Sequence, residues 1–182
     1  MFRIIILSFF ISTFAIANDK NHTIGIEYSY ADINNGTAQA TSELNDLITS
    51  HYASSYQYKV MDYIAIGLGY LKGDSSHADG IFIDIFTDSK IDYHAISLSA
   101  SLNYPISKTN YFYFKVNALQ YDYDIIDDSK LVYTEDGNDL GYSVGWRYEF
   151  NNGIGFNTGY EVLNLGKHID IKGFNIGVSY RF

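Results

Sequence analysis

Large apolar side chains alternate with small or polar ones along most of this chain. The last ten residues show it most cleanly. Phe174, Ile176, Val178, Tyr180 and Phe182 are interleaved with Gly173, Asn175, Gly177, Ser179 and Arg181. A strand turns successive side chains to opposite faces. One face of this segment is therefore continuously apolar, and the other is small, polar and finally charged. That suits a strand with lipid on one side and a packed polar interior on the other.

The same alternation recurs in series. The first strand is predicted at Thr23–Asp32, with Ile24, Ile26, Tyr28 and Tyr30 outward. The second runs over His51–Val60, with Tyr52, Tyr56, Tyr58 and Val60 outward. After Met61-Asp62-Tyr63, Ile64, Ile66, Leu68 and Tyr70 mark a third; Ile96 to Tyr104 mark a fourth, ending at the sole proline, Pro105. A fifth carries Phe112, Phe114, Val116 and Ala118 outward. Its apolar parity then changes, because Leu119, Tyr121 and Tyr123 are odd-numbered, and a bulge near Ala118 would account for that. Leu140–Phe150 is a sixth strand; Asn151-Asn152-Gly153 has hairpin chemistry and leads into a seventh, Ile154 to Val162.

The connections sort into two kinds. Those after strands two, four and six are short. Those after one (Asn34–Ser50), three (Lys72–Lys90), five (the acidic Asp124–Asn138) and seven (Asn164–His168) are read as loops. The second loop contains an apolar run, Ile81–Phe86, fit to extend a hairpin beyond a membrane. Short turns at one end and longer loops at the other are the rule for outer-membrane barrels. The predicted fold class is all-β: an eight-stranded, antiparallel, up-and-down transmembrane β-barrel with a side-chain-filled polar interior.

Composition sharpens this picture. Arg3, the apolar stretch Ile4–Phe14 and the Ala15-Ile16-Ala17 triplet form a signal peptide with cleavage after Ala17, so residues 1–17 are read as a leader and 18–182 as the barrel domain. The apolar run is too short for a spanning helix, which needs about 20 residues. Eighteen tyrosines and twelve phenylalanines suit a membrane interface, where a ring lies in apolar surroundings and a hydroxyl in water. Beyond the leader, 11 basic residues face 21 acidic ones, a net charge of −10, which argues against nucleic acid. Cysteine is absent, so no disulfide framework or thiolate chemistry is available.

The chain resembles the small bacterial outer-membrane β-barrel family of the OmpA-barrel and OmpX/Ail type. The most specific parts are Gly141-Tyr142-Ser143-Val144-Gly145-Trp146-Arg147-Tyr148-Glu149-Phe150 and the terminal Gly177-Val178-Ser179-Tyr180-Arg181-Phe182. The resemblance implies a Gram-negative outer-membrane location reached through the periplasm. It also implies an assembly signal at Tyr180 and Phe182 that is read by the barrel-assembly machinery. Its surroundings would be outer-membrane lipids and lipopolysaccharide, and a monomer is expected.

Candidate chemistry is sparse. Glu27, Lys115, Arg147, Glu149, Glu161 and Arg181 fall on the inward parity, three acids against three bases, and are read as a lumen charge network. Arg181 is expected to join this network with an acid such as Glu27 or Glu161. His22, His51, His77, His94 and His168 show no metal-ligand spacing. His168-Ile169-Asp170 is similar to part of the His-x-Ser-Asn pattern of barrel lipid A deacylases, but Asp170 stands where that pattern has serine. Asp122, Asp124, Asp127, Asp128, Glu135, Asp136 and Asp139 make the fifth-to-sixth connection acidic without a calcium-loop spacing; a solvated run is the main expectation, and divalent-ion bridging to lipopolysaccharide the other. No catalytic, cofactor or metal residue is assigned. The function expected is non-enzymatic: envelope integrity, or surface interaction and adhesion through external loops. A narrow porin-like channel and a lipid A-modifying enzyme are the alternatives.

Overall fold

A computed structural model describes residues 20–35, 47–75, 89–127, 130–166 and 169–182. Eight strands follow one another: β1 (His22–Asn35), β2 (Leu47–Met61), β3 (Ile64–Asp74), β4 (Ser89–Pro105), β5 (Asn110–Asp127), β6 (Lys130–Glu149), β7 (Ile154–Leu165) and β8 (Ile169–Arg181). Each pairs antiparallel with its sequence neighbour, and β8 pairs with β1 to close the barrel. At the closing seam, His22 N donates to Phe182 O (3.0 Å) and Phe182 N to His22 O (2.9 Å). Closure leaves no open edge in the membrane-spanning part of the wall, the condition for β-structure to stand in hydrocarbon. The leader, including Ala15 and Ala17, and the Ile81–Phe86 run lie outside the described residues.

The outward residues form the expected apolar band. Ile26, Leu68, Leu98, Val144 and Ile176 are each at least half exposed on the barrel wall. At the inner end, with the short turns, aromatics interlock: Tyr148 packs edge-on against Phe150 (centroids 4.8 Å apart), and Phe182 stacks on His22 (5.6 Å) and Tyr180 (6.0 Å). Gly153 takes φ of 93° in the Asn151-Asn152-Gly153 turn, a conformation a side chain would strain.

Two expectations are corrected. The ladder between β4 and β5 runs unbroken from Pro105↔Tyr111 to Ser89↔Asp127, so β5 has no bulge at Ala118. Alternation simply continues, and Leu119, Tyr121 and Tyr123 point inward, all buried. What changes is the solvent. Beyond Tyr30, Tyr70, Ile96, Ala118 and Phe174 the outward positions become Asp32, Lys72, His94, Gln120 and Lys172, while the inward ones become Ile33, Leu71, Tyr93, Leu119 and Ile171. The wall has left the hydrocarbon there, so polar side chains turn out to water and apolar ones turn in. The interior is therefore polar only in its inner and middle parts, with an apolar layer filling the outer part.

The second correction concerns the acidic loop. Asp124–Asn138 is largely strand: β5 and β6 continue as a hairpin to Asp127↔Lys130. β3, β4, β7 and β8 likewise run beyond their predicted ends.

Candidate functional site

The inward polar residues of the middle layer converge on a small internal cavity of about 40 Å³ lined by Glu27, His51, Gln57, Lys115, Asn117 and Glu161. Lys115 Nζ donates to Glu27 Oε2 (3.3 Å), and Asn157 Nδ2 to Glu27 Oε1 (3.3 Å). Both side chains of the ion pair are about nine-tenths buried. The cavity is large enough for water and too small for a solute of any size.

Glu161 is served by a residue that charge counting passed over. His51 Nε2 lies 3.0 Å from Glu161 Oε1, and both are buried. His51 Nδ1 faces Tyr93 Oη at 3.0 Å, and Thr49 Oγ1 sits 3.3 Å from the same hydroxyl while donating to the Asp74 carbonyl (2.9 Å). The signal for His51 was its parity: it lies opposite the inward Ser29 in the β1–β2 ladder.

The six predicted lumen charges are thus divided rather than joined. Glu27 holds Lys115, and Glu149 holds Arg181 at the inner mouth. Glu161 holds His51, and the Arg147 guanidinium lies over the Tyr113 ring, 5.8 Å from its centroid. Arg181 does not reach Glu27 or Glu161. Their neighbours on β8 are Gly177 and Gly173, four and eight residues up the strand, roughly 13 and 26 Å away at strand rise.

Tyr113 crosses the lumen from β5 to donate to Asn175 Oδ1 on β8 (3.3 Å). Its path runs over Gly145 and Gly159, which oppose each other in the β6–β7 ladder. A Cβ built on either would lie within 2.7 Å of the Tyr113 hydroxyl. Tyr180 and Phe182 sit in the inner aromatic ring described above.

Above this layer the apolar residues close the interior. Ile33, Ile91, Leu165 and Ile171 are completely buried, with Tyr121 and Tyr123 stacked 6.1 Å apart beside them. Outside the membrane band, Tyr123 donates to Glu135 Oε2 at 2.7 Å, and Tyr133 donates to the same oxygen at 3.0 Å. Burial, and then the Glu135 carboxylate, hold the Tyr123 phenol well above its ordinary range.

The acidic stretch is mostly engaged in its own structure. Asp122 faces His94 Nδ1 (2.6 Å), Asp124 accepts from Thr134 (2.5 Å), and Asp139 accepts from the backbone amides of Leu140 and Gly166. Asp136 is exposed. Among the described residues no three potential ligands gather around a metal position. Asp128, His77 and His168 lie outside the described residues, and only the backbone of Asp127 is described. Asp170 pairs with Lys172 (3.3 Å).

A closed antiparallel barrel with an apolar outer wall, an inner aromatic ring and a packed interior matches the family model for the outer membrane protein beta-barrel domain over residues 4–182. The chain belongs to that family. As a family, these barrels are outer-membrane proteins. Among solved structures it is similar to Ail, the attachment invasion locus protein of Yersinia pestis (13% identity, TM-score 0.59), covering 89% of this chain and 99% of that one. Ail has also been crystallised with the heparin analogue sucrose octasulfate. Neisserial surface protein A is similar at 13% identity and TM-score 0.70, covering 88% and 97%. OprG from Pseudomonas aeruginosa is similar at 14% identity and TM-score 0.51, covering 89% and 96%. At these identities the likeness is one of fold. No curated protein sequence matches the chain.

Proposed function

We propose that this outer-membrane barrel is non-enzymatic and non-conducting, and that it acts through its outer end in surface interaction or envelope integrity. The observation that carries this reading is the apolar layer across the outer interior. A channel needs a continuous wetted path, and Ile33, Ile91, Leu165 and Ile171 pack side chain against side chain where that path would run. An eight-stranded barrel is just wide enough for side chains to fill it. The ion pairs beneath then serve as packing elements of the lumen.

Purified protein in planar bilayers should therefore show conductance near zero. Stable unitary steps would reverse the assignment in favour of the narrow channel. Cells displaying the protein should in turn be retained on host-cell or matrix-coated surfaces more strongly than vector-only cells, or should resist detergent and bile better. Equality in both comparisons would remove the reading.

A lipid A-modifying role has less support: Asp170 is tied to Lys172, and the Tyr93 hydroxyl beside His51 is buried inside the barrel, away from the lipid. The barrel would be exported through the periplasm after cleavage at Ala15-Ile16-Ala17, and would meet lipids and lipopolysaccharide on its wall. Phe182, which closes the seam with His22, is proposed as the assembly signal together with Tyr180. Deleting Phe182 should lower the membrane-inserted fraction in cell fractionation; unchanged insertion would end that assignment.

A further inference from the structure

Of the lumen charges, one base is left over. Glu27 is held by Lys115 and Asn157, Glu149 by Arg181, and Glu161 by His51. Arg147 makes no ion pair and no hydrogen bond among the described residues. Each acid near it is occupied or too far. Asn157, its neighbour in the β6–β7 ladder, gives its amide to Glu27. Glu149, two residues along the same strand, is committed to Arg181. Glu161 lies opposite Ser143, four residues up β6 and roughly 13 Å away at strand rise. Guanidinium groups do not give up their proton in proteins, so the charge has to be met some other way. The face of Tyr113 meets part of it.

Arg147 also lines a cavity of about 330 Å³ at the inner mouth, shared with Lys59, Asp62, Asn103, Glu149 and Arg181. That is the small end of the range for ligand pockets and has room for about ten waters. Three buried polar atoms on its lining residues have no protein partner: Nε of Arg147, Nε of Arg181 and Oδ1 of Asn103. Asn103 spends its other end on Ser101 Oγ (3.3 Å). Buried polar groups are nearly always paired, so two donors and an acceptor left open around one cavity describe the complement of a ligand. Its charged residues are three cations, Lys59, Arg147 and Arg181, against two acids, Asp62 and Glu149.

We propose that the inner mouth binds a carboxylate with an N–H group beside it, the chemistry of the free end of a short peptide. One surplus positive charge suits one negative charge. A doubly charged phosphate would bring a second that nothing here meets. The planar guanidinium of Arg147 can take a carboxylate through two parallel hydrogen bonds. The adjoining N–H can then donate to Asn103 Oδ1. The apolar layer above blocks the way through the barrel, so such a ligand enters and leaves by the same mouth. This site lies at the opposite end from the outer surface, and neither role requires the other.

The test uses the full-length protein in nanodiscs, titrated with four probes and followed by saturation-transfer NMR: acetyl-Ala-Ala, its C-terminal amide, acetate and inorganic phosphate. Acetyl-Ala-Ala should bind saturably and at least about ten-fold more tightly than its amide, which lacks the charge. It should also outbind acetate, which lacks the N–H. Arg147→Lys keeps the charge without the fork and should weaken binding several-fold; Arg147→Met should abolish it. No saturable binding of acetyl-Ala-Ala, or equal binding of its amide, overturns the proposal. Phosphate binding as tightly overturns the carboxylate, and acetate binding as tightly overturns the peptide end. Stability without any probe separates binding from packing. Arg147→Met should keep its folded band in gels and a denaturant midpoint no lower than the parent's, because an unmet buried charge has been removed. Loss of the band, or a clearly lower midpoint, makes Arg147 a packing partner of Tyr113 and overturns the site.

Discussion

A valine at Gly145 should prevent the barrel from closing. Gly145 stands opposite Gly159 on β7 and beside Tyr113 on β5. A side chain begun there would place its first carbon 2.2 Å from the Thr158 carbonyl oxygen, 2.6 Å from the Gly159 Cα and 2.7 Å from the Tyr113 hydroxyl. Two of those three neighbours are backbone and cannot swing aside. The cost lies at or beyond the top of the ~1–3 kcal/mol range for overpacking. It also removes the slot through which Tyr113 reaches Asn175. The measurement is gel mobility in detergent before and after boiling, since a closed barrel migrates differently when intact. Gly145→Val should show only the unfolded band. Gly69→Ala is the matched control: its added carbon meets chiefly the Ser97 hydroxyl, which can rotate away, so the folded band should persist. A normal folded band for Gly145→Val would mean that the slot between β6 and β7 is not as tight as described.

Lys115→Met should cost about 3–5 kcal/mol, the range for breaking a buried ion pair by removing one partner. The loss comes less from the missing attraction than from what stays behind. Glu27 would keep Asn157 as a donor but lose its cation, deep in a lumen with little water. The double replacement Lys115→Met with Glu27→Leu should therefore recover most of the stability, because two well-packed apolar groups carry no such penalty. Denaturant midpoints of protein refolded into lipid vesicles would report both variants. If the double variant is no more stable than the single one, the pair matters for shape rather than for charge. Glu149 and Arg181 at the wetter inner mouth should respond less to the same treatment, since Arg181 is more exposed there.

Strand identity and parity were legible because the lipid-facing rows leave no doubt about which side is apolar. Phe174 to Phe182 and Tyr142 to Phe150 read correctly residue by residue. The outer end was harder for a physical reason. Period-two alternation says that two faces differ, but not which one faces the axis. At Ala118 the apolar set moves from even to odd positions, and a bulge and a change of surroundings produce the same string. Only the unbroken ladder through Leu98↔Ala118 separates them. The extended hairpin is hidden in the sequence because Asp122, Asp124 and Asp136 read as a solvated run. They are solvated, but on the outer face of strands whose inner face carries Tyr121 and Tyr123. In the lumen, Glu27 and Lys115 could be placed by parity, but partners could not. His51 carries no fixed charge, so a count of acids and bases passes over it. Parity gives Arg181 an acid to meet but not the height along the barrel that selects Glu149.

The polar-outside end also bears on how such a barrel comes to lie in a membrane. If it enters from the side of its short turns, its far end must travel through the hydrocarbon before it can rest in water. Single charges on a lipid-facing strand cost up to ~2–4 kcal/mol at the midplane for a lysine, and somewhat less for an aspartate. Carried one strand at a time, Lys90, Asp92, Asp122, Asp170 and Lys172 would add up to a steep barrier. Two couples soften it even within a single strand, Lys90 with Asp92 on β4 and Lys172 with Asp170 on β8, while His94 meets Asp122 only once the β4–β5 hairpin has formed. In the finished protein these couples are exposed and add little stability. Their greater effect falls on the crossing itself, where the two lysine–aspartate couples travel as nearly neutral passengers.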